Sequence, residues 1–399
     1  MPAPSSNIRR SAGARFWIGL VHLWLGLASG LVVFIVSLTG CLFCFQQEIS
    51  AAWYHDVFFV PAAAGAQPLS ALLRTAGDTL HTPVDYITTY RDPSRAWEFM
   101  SYKTNDTALT YFGNVERFRS VFIDPHTGRV TGFRDYKHDF FNVVKYIHWN
   151  LLLRDPIGQP IVGWSTLIFV VLLVTGLVLW WPRRWTRAAR RAPAPRRWTR
   201  AARRQAFTIQ WRAHKRRLNY DLHNVLGFYT LLVALVLGLT GMTFAFQWFY
   251  RAVGAIGGAP AAALVDTSGG APRSLDAAFA HIRDTYTGAS RIGLSPPSGS
   301  TLYLSAYDGR ETYYNRADVT IDFRNGRMST TPFARRTPGD KLVNMNYDIH
   351  VGAIGGLPGK IIAFLVSLVC ASLPITGFLY WWWRRVPPGR RPRSSRLRR

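Results

Sequence analysis

Residues 22–47 read HLWLGLASGLVVFIVSLTGCLFCFQQ, and residues 223–248 read HNVLGFYTLLVALVLGLTGMTFAFQW. A shift of 201 lays His22 on His223, Leu25-Gly26 on Leu226-Gly227, Leu38-Thr39-Gly40 on Leu239-Thr240-Gly241, and Phe43, Phe45 and Gln46 on Phe244, Phe246 and Gln247. The same shift lays Thr175-Gly176 on Thr376-Gly377, Trp180-Trp181 on Trp381-Trp382, and Arg183-Arg184 on Arg384-Arg385. So many matches at one offset mark an internal repeat. The matched stretches lie in or at the ends of four apolar runs, roughly 17–48, 157–182, 221–250 and 359–383, each reaching the length of about 20 residues that a helix needs to cross a bilayer.

Working outward, a soluble globular protein of 399 residues is excluded by these runs. Three cysteines exclude a disulfide-stapled secreted scaffold, and Cys41-x-x-Cys44 sits inside an apolar helix, where packing is its role. The net charge of +26 looks like a nucleic-acid signal until it is located. Arg9, Arg10 and Arg15 precede the first run, 14 Lys/Arg lie between Arg183 and Arg217, and eight Arg lie between Arg384 and Arg399. The remaining 23 bases face 22 acids. Every basic segment abuts the end of an apolar run, which is the positive-inside arrangement. No nucleic-acid partner is expected, because no binding motif accompanies the charge; the 183–217 segment instead suits anionic lipid.

The fold class expected is membrane α+β: four transmembrane helices in two tandem, parallel-oriented repeats, each carrying a small external α+β module. The divisions are a cytoplasmic N-terminus 1–15, helix 16–49, module 50–147, juxtamembrane segment and helix 148–182, basic cytoplasmic loop 183–217, helix 218–250, module 251–347, juxtamembrane segment and helix 348–383, and basic cytoplasmic tail 384–399. The first span is read as uncleaved. Within the modules, 121–130 and 319–328 match as a strand, an Asp-opened turn with a Gly suited to positive φ, and a second strand. Helices are expected before them at 69–81 and 274–285.

Histidine is rare in spans because its ring needs a polar partner in hydrocarbon. His22 and His223 each lie 17 residues before a Thr-Gly, and His148 and His350 lie 27 and 26 residues before one. At about 1.5 Å rise per residue they form two levels, His22 with His223 near the cytoplasmic ends of spans one and three, and His148 with His350 at the outer ends of spans two and four. A lone histidine at a helix end is ordinarily an interfacial residue. Four, paired by repeat and by depth, suit the axial ligands of two b-type haems per chain, haem iron being held by His22, His223, His148 and His350. Another metal is a weaker fit, since no acid or thiol joins either pair. Asp221 and Asp348 are candidate acceptors for the imidazole N–H. Gly26, Gly30 and Gly227, with the Thr-Gly glycines, allow close approach of a helix or a flat ring. His55, His81, His126, His138, His214 and His281 read as surface or turn residues, and the Trp pairs as an interfacial belt.

The pattern His-x-x-Leu-Gly with Leu-Thr-Gly in spans one and three, Tyr-Ile-His-Trp-Asn-Leu-Leu-Leu at 146–153, and Ile-His-Val-Gly-Ala-Ile-Gly-Gly-Leu-Pro-Gly-Lys at 349–360 with the following Thr-Gly and Trp-Trp, resembles the PepSY-associated transmembrane proteins, also called iron-regulated membrane proteins. The likeness covers about 16–385, with Asp-Pro-His-Thr-Gly at 124–128 the clearest external fragment; the second module has Phe-Arg-Asn-Gly at 323–326 instead. The resemblance implies a multi-pass protein of the bacterial inner membrane, N and C termini cytoplasmic. It implies di-haem reduction of a periplasmic ferric siderophore or other ferric chelate to release Fe(II), with His22, His148, His223 and His350 as the ligands. No flavin or nicotinamide domain is evident, so the electron donor is expected to be separate, a cytoplasmic reductase or a quinol. Arg117, Arg119, Arg291 and Arg310 are candidate chelate contacts. The alternative class is a non-enzymatic, membrane-anchored PepSY protein that binds or regulates an envelope protein or protease. Transport of the chelate is disfavoured, because no span carries an intramembrane acid–base pair or a Gly/Pro-broken centre.

Overall fold

The computed structural model describes residues 13–181, 204, 206–258, 263–266, 270, 272–309 and 312–385. Residues 1–12, most of the basic loop expected at 183–217, and the tail beyond Arg385 lie outside the described residues.

Helix α1 (Ala14–Phe43) leads through α2 (Gln46–Trp53) to α3 (Leu69–Leu80) and strands β1 (Tyr86–Tyr90), β2 (Trp97–Thr104), β3 (Val115–Ile123) and β4 (Val130–Asp135). The chain returns through α4 (Phe140–Asn150) and α5 (Asp155–Trp180). The second half follows a matching order. It has α6 (Lys215–Ala245, with a π-turn over Leu222–Leu226), α7 (Gln247–Gly254), a short β5 (Leu264–Asp266) and α8 (Leu275–Thr285). Then come β6 (Ala289–Ser298), β7 (Thr301–Asp308), β8 (Arg316–Asp322), β9 (Arg327–Thr331), α9 (Pro338–His350) and α10 (Gly356–Arg385).

Four helical segments, Ala14–Phe43, Asp155–Trp180, Lys215–Ala245 and Ala353–Arg385, are long and apolar enough to cross a membrane. Their outward side chains are apolar too, with Leu31 and Leu232 71% and 72% exposed, a surface that requires lipid as its solvent. Within the bundle α1 packs on α10 and α5, and α6 packs on the same two helices. Small residues set the spacing: Gly30 faces Pro374, and Gly238 faces Val170. The chain is a membrane α+β protein.

The segments between the span helices of each half do not stay separate. Among the described residues they build one nine-stranded antiparallel sheet in the order β4-β3-β2-β1-β6-β7-β8-β9-β5. β1 pairs directly with β6, setting Ile87 opposite Leu294 and Tyr90 opposite Arg291. The two small modules expected, one in each half, are joined here into one sheet. A module ending at β1 or β6 would expose a row of unpaired N–H and C=O groups, and joining the two edges satisfies both. Helices α3 and α8 cover one face with Leu69, Leu72, Ala278 and Ile282, packed on Ile87, Phe99, Ile292 and Ile321 in a single core. Ser70 of α3 donates through its backbone N–H and its Oγ to Asp276 of α8, at 2.8 and 2.5 Å, which ties the halves again.

The two matched turns share one geometry. Asp124 accepts from the His126 N–H at 2.9 Å, and Asp322 accepts from the Arg324 N–H at 2.9 Å. Gly128 and Gly326 take φ of 74° and 63°, where a side chain is strained. Phe-Arg-Asn-Gly therefore makes the same turn as Pro-His-Thr-Gly.

Two elbows return the chain from sheet to membrane. Leu151 and Leu152, both at φ 58°, end α4, and Gly352 at φ 77° and Gly356 at φ 59° separate α9 from α10. His148 and His350 were expected at the outer ends of spans two and four. They lie instead on the separate helices α4 and α9, in front of the elbows. The left-handed residues separate the juxtamembrane helix that carries each histidine from the span that follows it.

Candidate functional site

Each of the four histidines meets its expected mate. His22 and His223 face each other with ring centres 6.4 Å apart and planes at 90°, while His148 and His350 stand 5.9 Å apart at 69°. His22 and Thr39 are 17 residues apart on α1, and Thr39 contacts His148. The two pairs therefore lie about 25 Å apart along the bundle, the His148/His350 pair on the sheet side.

The imidazole partners are threonines. His22 Nδ1 lies 2.9 Å from Thr175 Oγ1, His223 Nδ1 2.9 Å from Thr376 Oγ1, and His350 Nδ1 2.8 Å from Thr240 Oγ1. His148 Nδ1 lies 2.8 Å from the Val36 carbonyl and 3.3 Å from Thr39 Oγ1. Each hydroxyl gives its single proton to the carbonyl four residues back, at Ile35 (2.7 Å), Val171 (2.8 Å), Val236 (2.8 Å) and Ser372 (3.0 Å). The oxygen is then left to accept, so Nδ1 carries the ring proton and Nε2 keeps a free lone pair.

The glycine after each threonine makes room for the same ring. A Cβ at Gly40 would stand 3.0 Å from His148 Cε1, at Gly176 3.4 Å from His22 Cε1, at Gly377 3.3 Å from His223 Cε1 and at Gly241 3.6 Å from His350 Cε1. Every Thr-Gly is thus a histidine cradle. Close helix packing belongs to Gly26, Gly30 and Gly227, which meet Leu172, Pro374 and Leu373. Sequence carried the signal for the cradles, since the four dipeptides recur at the shift that relates the histidines, yet it could not say which ring each one receives.

The acidic acceptors proposed for the imidazoles are corrected. Asp221 is bound by Arg217 at 2.9 Å and by the Gln210 N–H at 3.2 Å, and Asp348 accepts from the Tyr313 N–H at 2.8 Å. Their side chains, fully buried, serve the backbone around them. Sequence reading also missed Lys360, which is 2% exposed at the sheet-side end of α10 and bonds Glu48 of α2 at 2.7 Å. That pair beside a small cleft lined by Cys44, Gln47 and Tyr347 qualifies the view that no span carries an acid–base pair.

Of the arginines considered as chelate contacts, Arg291 is buried between the rings of Tyr307 and Tyr313, 4.5 and 4.1 Å away, and its guanidinium donates to the Thr312 carbonyl. Arg117 donates to Ser101, Arg119 is exposed, and Arg310 lies outside the described residues. Cys44 and Cys41 are buried, with Cys44 Sγ donating to the Gly40 carbonyl. Among the described residues no group of three or more His, Cys, Asp or Glu converges.

Bilayer-length helices, one antiparallel sheet and two facing histidine pairs define a multi-pass membrane protein with a sheet domain outside its span helices. The family model described as the PepSY-associated TM region matches residues 20–385, and the chain belongs to that family. No curated protein matches the sequence.

Proposed function

We propose that this protein carries electrons across the bacterial inner membrane through two bis-histidine b-type haems and reduces a ferric siderophore or other ferric chelate in the periplasm. The observation that carries the reading is the two-level pairing of His22 with His223 and His148 with His350, each ring held by its Nδ1 with Nε2 left free. Two nitrogen ligands alone do not complete a tetrahedral metal site, which takes four protein ligands, or three and a water. They are the complement of a planar ring that brings four nitrogens of its own. Haem iron would be held by His22 with His223 and by His148 with His350, whose facing rings stand 6.4 and 5.9 Å apart, room for one metal atom bound by both at about 2.0–2.1 Å.

Haem supplies a one-electron carrier at each level. The protein's part is ligation, spacing and exclusion of water. His22 and His223 hold the cytoplasmic-side centre, His148 and His350 the periplasmic-side one, and the threonines orient the rings. The two halves are read as tandem copies in one orientation, with both termini cytoplasmic and the sheet in the periplasm, where an arriving chelate meets the level of His148 and His350. The donor is a separate cytoplasmic reductase or a quinol.

Proteoliposomes with an enclosed reductant test the function. The account expects Fe(II) to appear outside when a ferric chelate is added outside, and the rate to collapse in His148→Ala and His350→Ala. A rate equal to that of protein-free vesicles would overturn it.

A further inference from the structure

Beside each histidine of the second half an asparagine bonds the carbonyl of the threonine that holds the ring, and neither histidine of the first half has such an asparagine. Asn219 lies one turn before His223 on α6, and its Nδ2 donates to the Thr376 carbonyl at 2.8 Å while His223 donates to the Oγ1 of the same threonine at 2.9 Å. Asn346 lies one turn before His350 on α9. Its Nδ2 donates to the Thr240 carbonyl at 3.1 Å, and His350 donates to Thr240 Oγ1 at 2.8 Å. The asparagines are 7% and 5% exposed. Four residues before His22 and His148 stand Ile18 and Val144, which have no polar group to give.

The difference is mechanical. One hydrogen bond lets a helix rock about the contact, whereas two bonds a turn apart, to the side chain and the backbone of one threonine, set both its rotation and its height. In hydrocarbon a released amide finds no water to replace the carbonyl, so the grip resists opening. Thr376 is held on α10 and Thr240 on α6. The grip therefore links α6 to α10 at one level and α9 to α6 at the other. On the first-half side the His22 ring meets Thr175 and the His148 ring meets the Val36 carbonyl and Thr39, with no asparagine beside either, and the other bond from α1 to α5 is that of Arg15 to the Leu179 carbonyl, about two turns from His22.

We infer that each pair has one fixed and one exchangeable imidazole: His223 and His350 hold the centre, and His22 and His148 are the ligands that leave to open a coordination position. Asn219 and Asn346 are positioning residues that act through Thr376 and Thr240. The inference rests on the haem-binding reading above. It assigns unequal roles to ligands that the repeat makes look equivalent.

The test is haem content and spin state of four purified variants, each compared with its mate in the other half. His22→Ala and His148→Ala should keep about two haems per chain, one of them converted to a high-spin form that binds carbon monoxide at once, whereas His223→Ala and His350→Ala should keep about one. Asn219→Ala and Asn346→Ala retain every imidazole and should release haem about tenfold faster than wild type. They should also release it when carbon monoxide is added to the reduced protein, a treatment the wild type survives with its haem in place. This second readout holds even where a histidine variant fails to fold. Equal haem loss from His22→Ala and His223→Ala, or asparagine variants that hold haem as the wild type does under carbon monoxide, would overturn the inference while leaving the haem reading intact. A wild-type chain without haem would overturn that reading, and the inference with it.

Discussion

A threonine hydroxyl that gives its proton to its own helix and accepts one from an imidazole decides the tautomer of each histidine, and the next glycine decides how deep the ring can sit. Thr376→Val keeps shape and removes the hydroxyl that accepts from His223 Nδ1 and donates to the Ser372 carbonyl. Loss of such an outer partner costs about 10–100-fold in metal affinity, so haem should transfer from this variant to an apo-acceptor faster by that factor; an unchanged rate would contradict the cradle. In the sheet domain, His126 is set between two carbonyl oxygens, those of Gly65 and Pro93, the latter 2.8 Å from Nε2. Carbonyls only accept, so both ring nitrogens must donate. The Pro93 carbonyl first, then Gly65 and Asp124, raise the His126 imidazolium above its ordinary 6.5 against the effect of partial burial. Burial pushes the Asp124 carboxyl up, but hydrogen bonds from Thr127 and from the His126 N–H outweigh it and hold it low. A raised histidine contributes stability that is complete below about 6.5 and is lost as pH rises through the folded value. Hydrogen exchange at 61–68, corrected for intrinsic rate, should therefore quicken as the pH is raised through that range, and His126→Ala should remove the pH dependence.

At the scale of elements, the sheet-side pair, His148 with His350, depends on two elbows. Gly158, at the start of α5, and Gly359, at the start of α10, are equivalent under the repeat shift, and a Cβ on either would collide with a backbone carbonyl, of Asn150 and of Gly352 respectively. Gly158→Ala should push α4 out of place and weaken the His148 side of the outer pair while the inner pair is spared. Spectra showing both centres unchanged would contradict this. The spans and the helices Leu69–Leu80 and Leu275–Thr285 were legible in advance, because hydropathy and amphipathic spacing are local. The histidine pairing was legible for a different reason, since depth along a helix follows from residue counting. What local pattern could not supply was the union of β1 with β6, a contact between residues some 200 positions apart, or the backbone signs of Leu151 and Leu152, which non-glycine residues seldom adopt. Asp221 and Asp348 were misread because nearness in sequence was taken for nearness of side chains.

For the whole molecule, two halves of like order meet twice, in the helix bundle and along the β1–β6 seam, so each histidine pair and the sheet above it need both halves. The central claim is that this arrangement holds two haems. The most direct measurement is the oxidised and dithionite-reduced absorption spectrum of detergent-purified protein from haem-replete cells, with haem quantified per chain. The account predicts low-spin b-type bands and two haems per chain, falling when any of His22, His148, His223 or His350 is replaced together with its mate. A purified, folded protein with no Soret band would contradict it and leave the four histidines as packing residues of the bundle.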